Sequence, residues 1–261
     1  MQPLKTKHSG ELGATGTKYN MKNIFCILIL LISISCSVDK SKLLGNDYRL
    51  FEDTPVWTLV KAVRDQDTSA IKKIVKEKKL DINYQEERFG NTLLMLTISN
   101  HQYNSCKMLL QLGADPNKPD KYNGSSAILD AAGIIEDGDN TRFLKLLLKY
   151  KGNPNYIEVG PRQEGNTTRM TPLMASINGL QNEPSLPKIK ILVDAGANVN
   201  YKNEYGQTVL QQSVLLESYA VVLYLLEKGA NYQDLIVDRG KFDNGGKKMY
   251  LVDILREYMP V

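Results

Sequence analysis

Histidine is scarce in this 261-residue chain, with only His8 and His101 present. His8 precedes an apolar leader-like stretch, and His101 follows Asn100 at what reads as a turn between paired helices. That leaves no general base for a Ser-His-Asp or Cys-His arrangement. Cysteine is nearly as rare, at three residues. Cys26 and Cys36 lie in the apolar stretch and Cys106 lies far away in the run SCKMLL, so no disulfide framework can be drawn. Cys106 reads instead as a small buried core thiol. No HExxH or CxxC spacing offers a metal site. No apolar run reaches the ~20 residues that cross a bilayer as a helix. Charge of one sign is lacking as well. The formal net charge is +4, but Lys5, Lys7, Lys18 and Lys22 precede Cys36 with only Glu11 against them, which leaves 29 bases and 28 acids beyond it. A nucleic-acid binder shows a concentrated basic face, and this balance excludes one.

Two stretches resemble ligand loops and fail on spacing. Residues 240–247, GKFDNGGK, have no Ser or Thr after the lysine and follow no buried strand, so they read as a loop rather than a phosphate cradle. Residues 136–140, EDGDN, lack the twelve-residue register and distal glutamate of a calcium loop, and read as a solvated acidic turn. No catalytic residue, metal, cofactor or small-molecule substrate is expected.

The N-terminus reads as an address. From Met21 the chain runs MKNIFCILILLISISCS: a lysine, an apolar run over 24–34, small residues and a cysteine. This is the pattern of a secretory signal. Its end, Ser33-Ile34-Ser35-Cys36, resembles a bacterial lipobox, departing from the usual leucine at Ser33. The resemblance implies lipidation of Cys36, and Ser37 after it implies the outer membrane. Cleavage near Ser35, releasing a soluble periplasmic protein, is the alternative. Residues 1–20 are polar and read as an upstream extension, with Met21 as the start, or as one of two starts giving products of different fate, one of them not exported. Residues 37–50 read as a polar tether.

Beyond the tether the chain repeats itself. GNTLLMLTISNHQYNSCKMLLQLGADPN (90–117) is the clearest unit, followed by GSSAILDAAG with FLKLLLKYKGNPN, MTPLMASI with KIKILVDAGANVN, and GQTVLQQSVLLESYAVVLYLLEKGANY; WTLVKAV with AIKKIVKEKKLDIN is a degenerate first copy. Thr171-Pro172 reads as a helix start, and Gly113, Gly196 and Gly229 as the left-handed ends of second helices. In G-x-T-x-L and L-L-x-x-G-A-[DN]-x-N, residues 54–232 resemble ankyrin repeats. The resemblance implies an all-α solenoid of about five repeats over 51–261, each a helix-turn-helix with a β-hairpin finger. Residues from about 233, ending in an amphipathic segment at 251–258, would form a C-terminal cap. The family's histidine after T-P-L is replaced by Met95 and Met174, which removes a polar link between neighbouring turns.

Such a scaffold is expected to bind one protein partner. The candidate contacts are Arg88, Phe89, Lys121, Tyr122, Glu204 and Tyr205, charged or polar residues beside aromatics at finger tips. To these are added Glu158, Arg162, Glu164 and Arg169 from the long insertion at 157–169. A second insertion spans 178–187. Some of the rings could equally brace neighbouring fingers. FEDTPVW (51–57) and GNTLLML (90–96) resemble small exported ankyrin lipoproteins associated with type VI secretion lipase effectors, which implies an immunity role. The rival readings are a periplasmic scaffold supporting envelope or oxidative-stress enzymes and, from another class, a hydrolase using residues 234–250.

Overall fold

The computed structural model describes residues 38–134, 141–160, 169–177 and 185–233. The apolar run, Cys36, the acidic turn, Arg162, Glu164, the loop at 240–247 and the expected cap lie outside the described residues. Contacts divide the chain into two units, residues 1–39 and 40–261, and the helical repeats belong to the second.

Among the described residues, ten α-helices follow one another in five pairs. They are α1 (Trp57–Arg64) with α2 (Thr68–Lys78), α3 (Leu93–Ser99) with α4 (Tyr103–Gln111), α5 (Ala127–Gly133) with α6 (Arg142–Lys149), α7 (Pro172–Ala175) with α8 (Leu186–Asp194), and α9 (Val209–Leu215) with α10 (Tyr219–Glu227). Each pair packs on itself, and α1, α3, α5 and α7 stack in a row. Of the second helices, α2, α4 and α6 stack, and α8 meets α10. The expected repeat solenoid is present.

Burial explains why the two helices of a pair differ in sequence. The first helices α3, α5 and α7 are short and buried nearly all round; every residue of α3 from Leu93 to Ile98 is buried. The second helices are amphipathic, as in α6, where Phe143, Leu144, Leu146 and Leu147 face inward and Lys145 and Lys149 outward. Each fully buried large aliphatic or aromatic side chain contributes about 1.5–3 kcal/mol. Cys106, 0 % exposed, is the core thiol expected. Thr92, Thr171 and Thr208 cap their helices by accepting the N–H of Met95, Met174 and Gln211. The methionine at the histidine position still makes a polar contact, since the Thr92 N–H points at the Met95 sulfur at 3.4 Å.

Between repeats, the asparagine that closes each unit reaches into the next one. Asn117 Oδ1 accepts the Asn153 N–H at 2.7 Å and its amide donates to the Lys151 carbonyl at 2.9 Å. Asn155 does the same with Asn198 and Gly196 at 2.7 and 2.9 Å, and Asn200 with Asn231 and Gly229 at 2.7 and 3.1 Å. Asn83 accepts the Asp115 N–H at 2.8 Å. The fingers are not β-hairpins: among the described residues there is no strand, only an isolated antiparallel bridge between Gln85 and Thr92. Side chains close these turns in place of a ladder.

The stretch expected as a tether, 37–50, is instead packed from Leu43 onward. Leu43, Tyr48, Leu50 and Phe51 are buried, and the 3-10 turn Tyr48–Phe51 lies against α1. The Asn91 and Asn100 amides donate to the Gly45 and Asn46 carbonyls at 2.9 Å each. The segment is thus held against α1 and tied by hydrogen bonds to the second repeat.

The third repeat carries a local fault. Gly113, Gly196 and Gly229 hold the left-handed position after their helices at φ 98°, 92° and 83°, but Lys151 takes it in the third at φ 70°. The glycine there is displaced by one residue, to Gly152, where an added Cβ would lie 2.9 Å from Ile128 Cδ1 and 3.0 Å from the Leu147 carbonyl oxygen. A left-handed non-glycine residue costs about 1–2 kcal/mol. Lys151→Gly is therefore expected to stabilise the protein by about 0.5–1 kcal/mol in chemical denaturation, and Gly152→Ala to destabilise it.

Candidate functional site

The fingers are built around one acceptor side chain each, three residues after the closing asparagine. Glu86, 1 % exposed, accepts the N–H groups of Arg88, Phe89 and Asn91 at 2.7–3.1 Å. Asp120 accepts four in succession, from Tyr122, Asn123, Gly124 and Ser125. Glu158, 6 % exposed, accepts the Met170 N–H at 3.0 Å. Asn203 accepts those of Tyr205 and Gln207 at 3.0 and 2.9 Å. An oxygen turned inward in this way satisfies donors that a strand partner would otherwise take.

Neighbouring fingers are tied tip to tip. The Lys121 N–H donates to the Phe89 carbonyl at 3.0 Å, and those of Val159 and Gly160 to Gly124 and Asn123 at 3.3 and 3.1 Å. A Cβ on Gly124 would lie 1.9 Å from the Gly160 nitrogen, so this approach requires glycine. The Tyr156 hydroxyl donates to the Gly124 carbonyl at 2.6 Å, and that of Tyr201 to the Arg169 carbonyl at 2.9 Å. Gln85 bonds the carbonyls of Gly90 and Pro119 at 2.6 and 2.7 Å. These bonds fix the polar interior and leave apolar side chains outward: Tyr122 is 49 %, Val159 57 % and Tyr205 64 % exposed.

Between the fingers and the first helices lies a cavity of 480 Å³. Met95, Leu129, Met170 and Ala175 give it apolar walls, and Gly45 and Asn46 of the N-terminal segment form part of its rim. Asp120, Asp130 and Glu158 also line it. Asp130 accepts the Ser125 hydroxyl at 2.7 Å. Burial, with smaller contributions from the Asp120 and Glu158 charges, pushes its carboxyl up to about 7 against the pull of that hydrogen bond.

An ankyrin-repeat profile matches residues 89–121, and a profile of three ankyrin copies matches residues 129–235. The chain is an ankyrin-repeat protein. Three relatives named for ankyrin repeats, all from Acanthamoeba polyphaga mimivirus, are similar to it. L92 is 31% identical over 68% of this chain, L86 29% over 51%, and R664 33% over 33%. The chain spans 40%, 24% and 48% of their respective lengths. Ankyrin repeats serve as protein-binding scaffolds and are typically not enzymes.

On these ankyrin fingers the expected contact residues fall into two sets. Tyr122 and Tyr205 are exposed at the tips, as are Lys121 and Glu204. Phe89 packs edge-on against Tyr122 with centroids 6.0 Å apart and carries the Arg88 guanidinium at 4.5 Å. Arg88 also donates to the carbonyls of Lys40 and Leu43 at 2.7 and 2.6 Å, so it anchors the N-terminal segment. Glu158 lies inside its finger rather than on the surface, because its carboxylate closes the turn. Arg169, half-buried, donates to the Glu158 carbonyl at 2.8 Å.

Sequence reasoning missed the inward residues Glu86, Asp120 and Asn203, although an acid or amide at a constant offset from Asn83, Asn117, Asn155 and Asn200 marks them. It also missed Asp130, which carries no signal beyond being an acid in an apolar helix. Because its folded-state value lies above the ordinary carboxylate value, folding disfavours the charged form. That penalty is absent below about pH 4, grows as pH rises and is complete above about 7. Asp130→Asn keeps an acceptor for Ser125. In urea denaturation it is expected to match wild type at pH 4 and to exceed it by at least about 1 kcal/mol at pH 8.

Proposed function

We propose that this ankyrin-repeat protein is an exported immunity protein, anchored in the periplasm through a lipidated Cys36. In this reading it docks its finger side on an antibacterial effector of the type VI lipase kind and covers the effector's active site or substrate entrance. The observation that carries the reading is the row of braced finger tips with Tyr122, Val159 and Tyr205 turned to solvent. Rigid aromatic anchors of this sort dominate tight interfaces, and the tip-to-tip hydrogen bonds lower the ordering cost of binding. The likeness of FEDTPVW and GNTLLML to exported ankyrin lipoproteins, and the signal-like run ending at Cys36, support the place and the partner.

The test is a mixed culture of a deletion strain with siblings that deploy a type VI lipase effector. The deletion strain is expected to be killed and to be rescued by the wild-type gene. Tyr122→Ala with Tyr205→Ala is expected to fold normally, accumulate to wild-type level and fail to rescue, and Cys36→Ala to leave the membrane fraction. Normal survival of the deletion strain would contradict the immunity role and favour a scaffold for envelope or oxidative-stress enzymes.

A further inference from the structure

The 480 Å³ cavity falls within the ~300–1,000 Å³ range of binding pockets. Its chemistry is lopsided: Asp120, Asp130 and Glu158 line it, and among the described residues no lysine or arginine does. The three carboxylates do not act alike. Asp120 and Glu158 are committed to backbone N–H groups and cannot turn toward a ligand without opening their fingers. Asp130 is held by one serine hydroxyl and keeps acceptor capacity. Two cations stand near these elements, and both are engaged with carbonyls: Lys188 bonds those of Ala132 and Ile134 at the end of α5, and Arg169 bonds that of Glu158. The described acids do not form a metal-binding group.

We infer that this cavity is a docking subsite for one basic side chain, lysine or arginine, of a protein partner, with Asp130 as its counter-ion. A long aliphatic stem matches the walls made by Met95, Leu129, Met170 and Ala175, and a cationic tip matches the carboxylate. Burial raises the Asp130 carboxyl and the nearby Asp120 and Glu158 charges raise it further, so an incoming cation would meet carboxylates and favour the ionised form of Asp130. The inference deepens the reading above and takes from it only that the finger side meets a protein.

The test uses the isotopically labelled full chain and N-acetyl-arginine amide as the probe, with N-acetyl-citrulline amide as its neutral isostere. The arginine derivative is expected to give saturable shifts in the Leu129, Asp130 and Gly133 amides. Its affinity should fall about tenfold from pH 8 to pH 6 as Asp130 takes up a proton. The citrulline derivative, and the arginine derivative with Asp130→Asn, should bind at least about tenfold more weakly. Equal binding of the two probes, undiminished binding to Asp130→Asn, affinity independent of pH, or no saturable shift at these amides would each overturn the inference. Because no effector is present, such a failure is distinct from survival of the deletion strain, which bears on the immunity reading alone.

Discussion

Each junction of this solenoid depends on an asparagine whose side chain accepts one N–H and, at three of the four junctions, donates to a carbonyl of the following repeat. A hydrogen bond of this kind is worth only about 1 kcal/mol net, far less than the burial of the leucines behind it. Its importance is geometric. Hydrophobic stacking tolerates sliding, whereas a paired donor and acceptor fix the height at which the next turn leaves its helix. The carbonyls that are clamped belong to the left-handed residues Lys151, Gly196 and Gly229, so the helix end and the repeat spacing are set together.

Finger register follows from that spacing. With successive turns held level, the Tyr156 and Tyr201 hydroxyls reach backbone carbonyls of the preceding finger, and Gly160 closes on Gly124. The inward oxygens of Glu86, Asp120, Glu158 and Asn203 then replace the missing strand ladder. The turn-closing side chains are thereby drawn into the fingers, and Tyr122 and Tyr205 are left outside, which is the division of labour a docking surface needs. The cavity arises where the fingers, the first helices and the N-terminal segment meet, and Asp130 is the carboxylate there held by a single serine hydroxyl.

The architecture is legible in the sequence because it repeats. The T-x-L helix starts, the left-handed glycines and the closing asparagines each have a local physical reason, and their recurrence implies five helix pairs. The fingers depart from the expected β-hairpins, because turn residues alone do not reveal whether a strand ladder or a caged carboxylate satisfies the backbone. Residues 37–50 resemble a tether in sequence because Leu43, Tyr48 and Leu50 show no period; their burial comes from contact with α1 and the second repeat, distant in sequence. Arg88 and Glu158 look like surface contacts for a related reason: a charged residue in a loop does not disclose that its partner is a carbonyl some 45 positions away or an amide across its own turn. Asp130 could not be foreseen, since its environment is assembled from four separate segments.

Amide hydrogen exchange tests the central claim, that asparagine clamps hold each repeat to the next. The N–H groups of Asp115, Asn153, Asn198 and Asn231 sit in exposed turns and owe their protection to Asn83, Asn117, Asn155 and Asn200 respectively. With Asn117→Ala, exchange at Asn153 is expected to speed up at least about tenfold while Asn231 keeps its protection, because coupling in a solenoid runs between neighbours. Unchanged protection at Asn153, or equal loss at all four amides, would contradict the account.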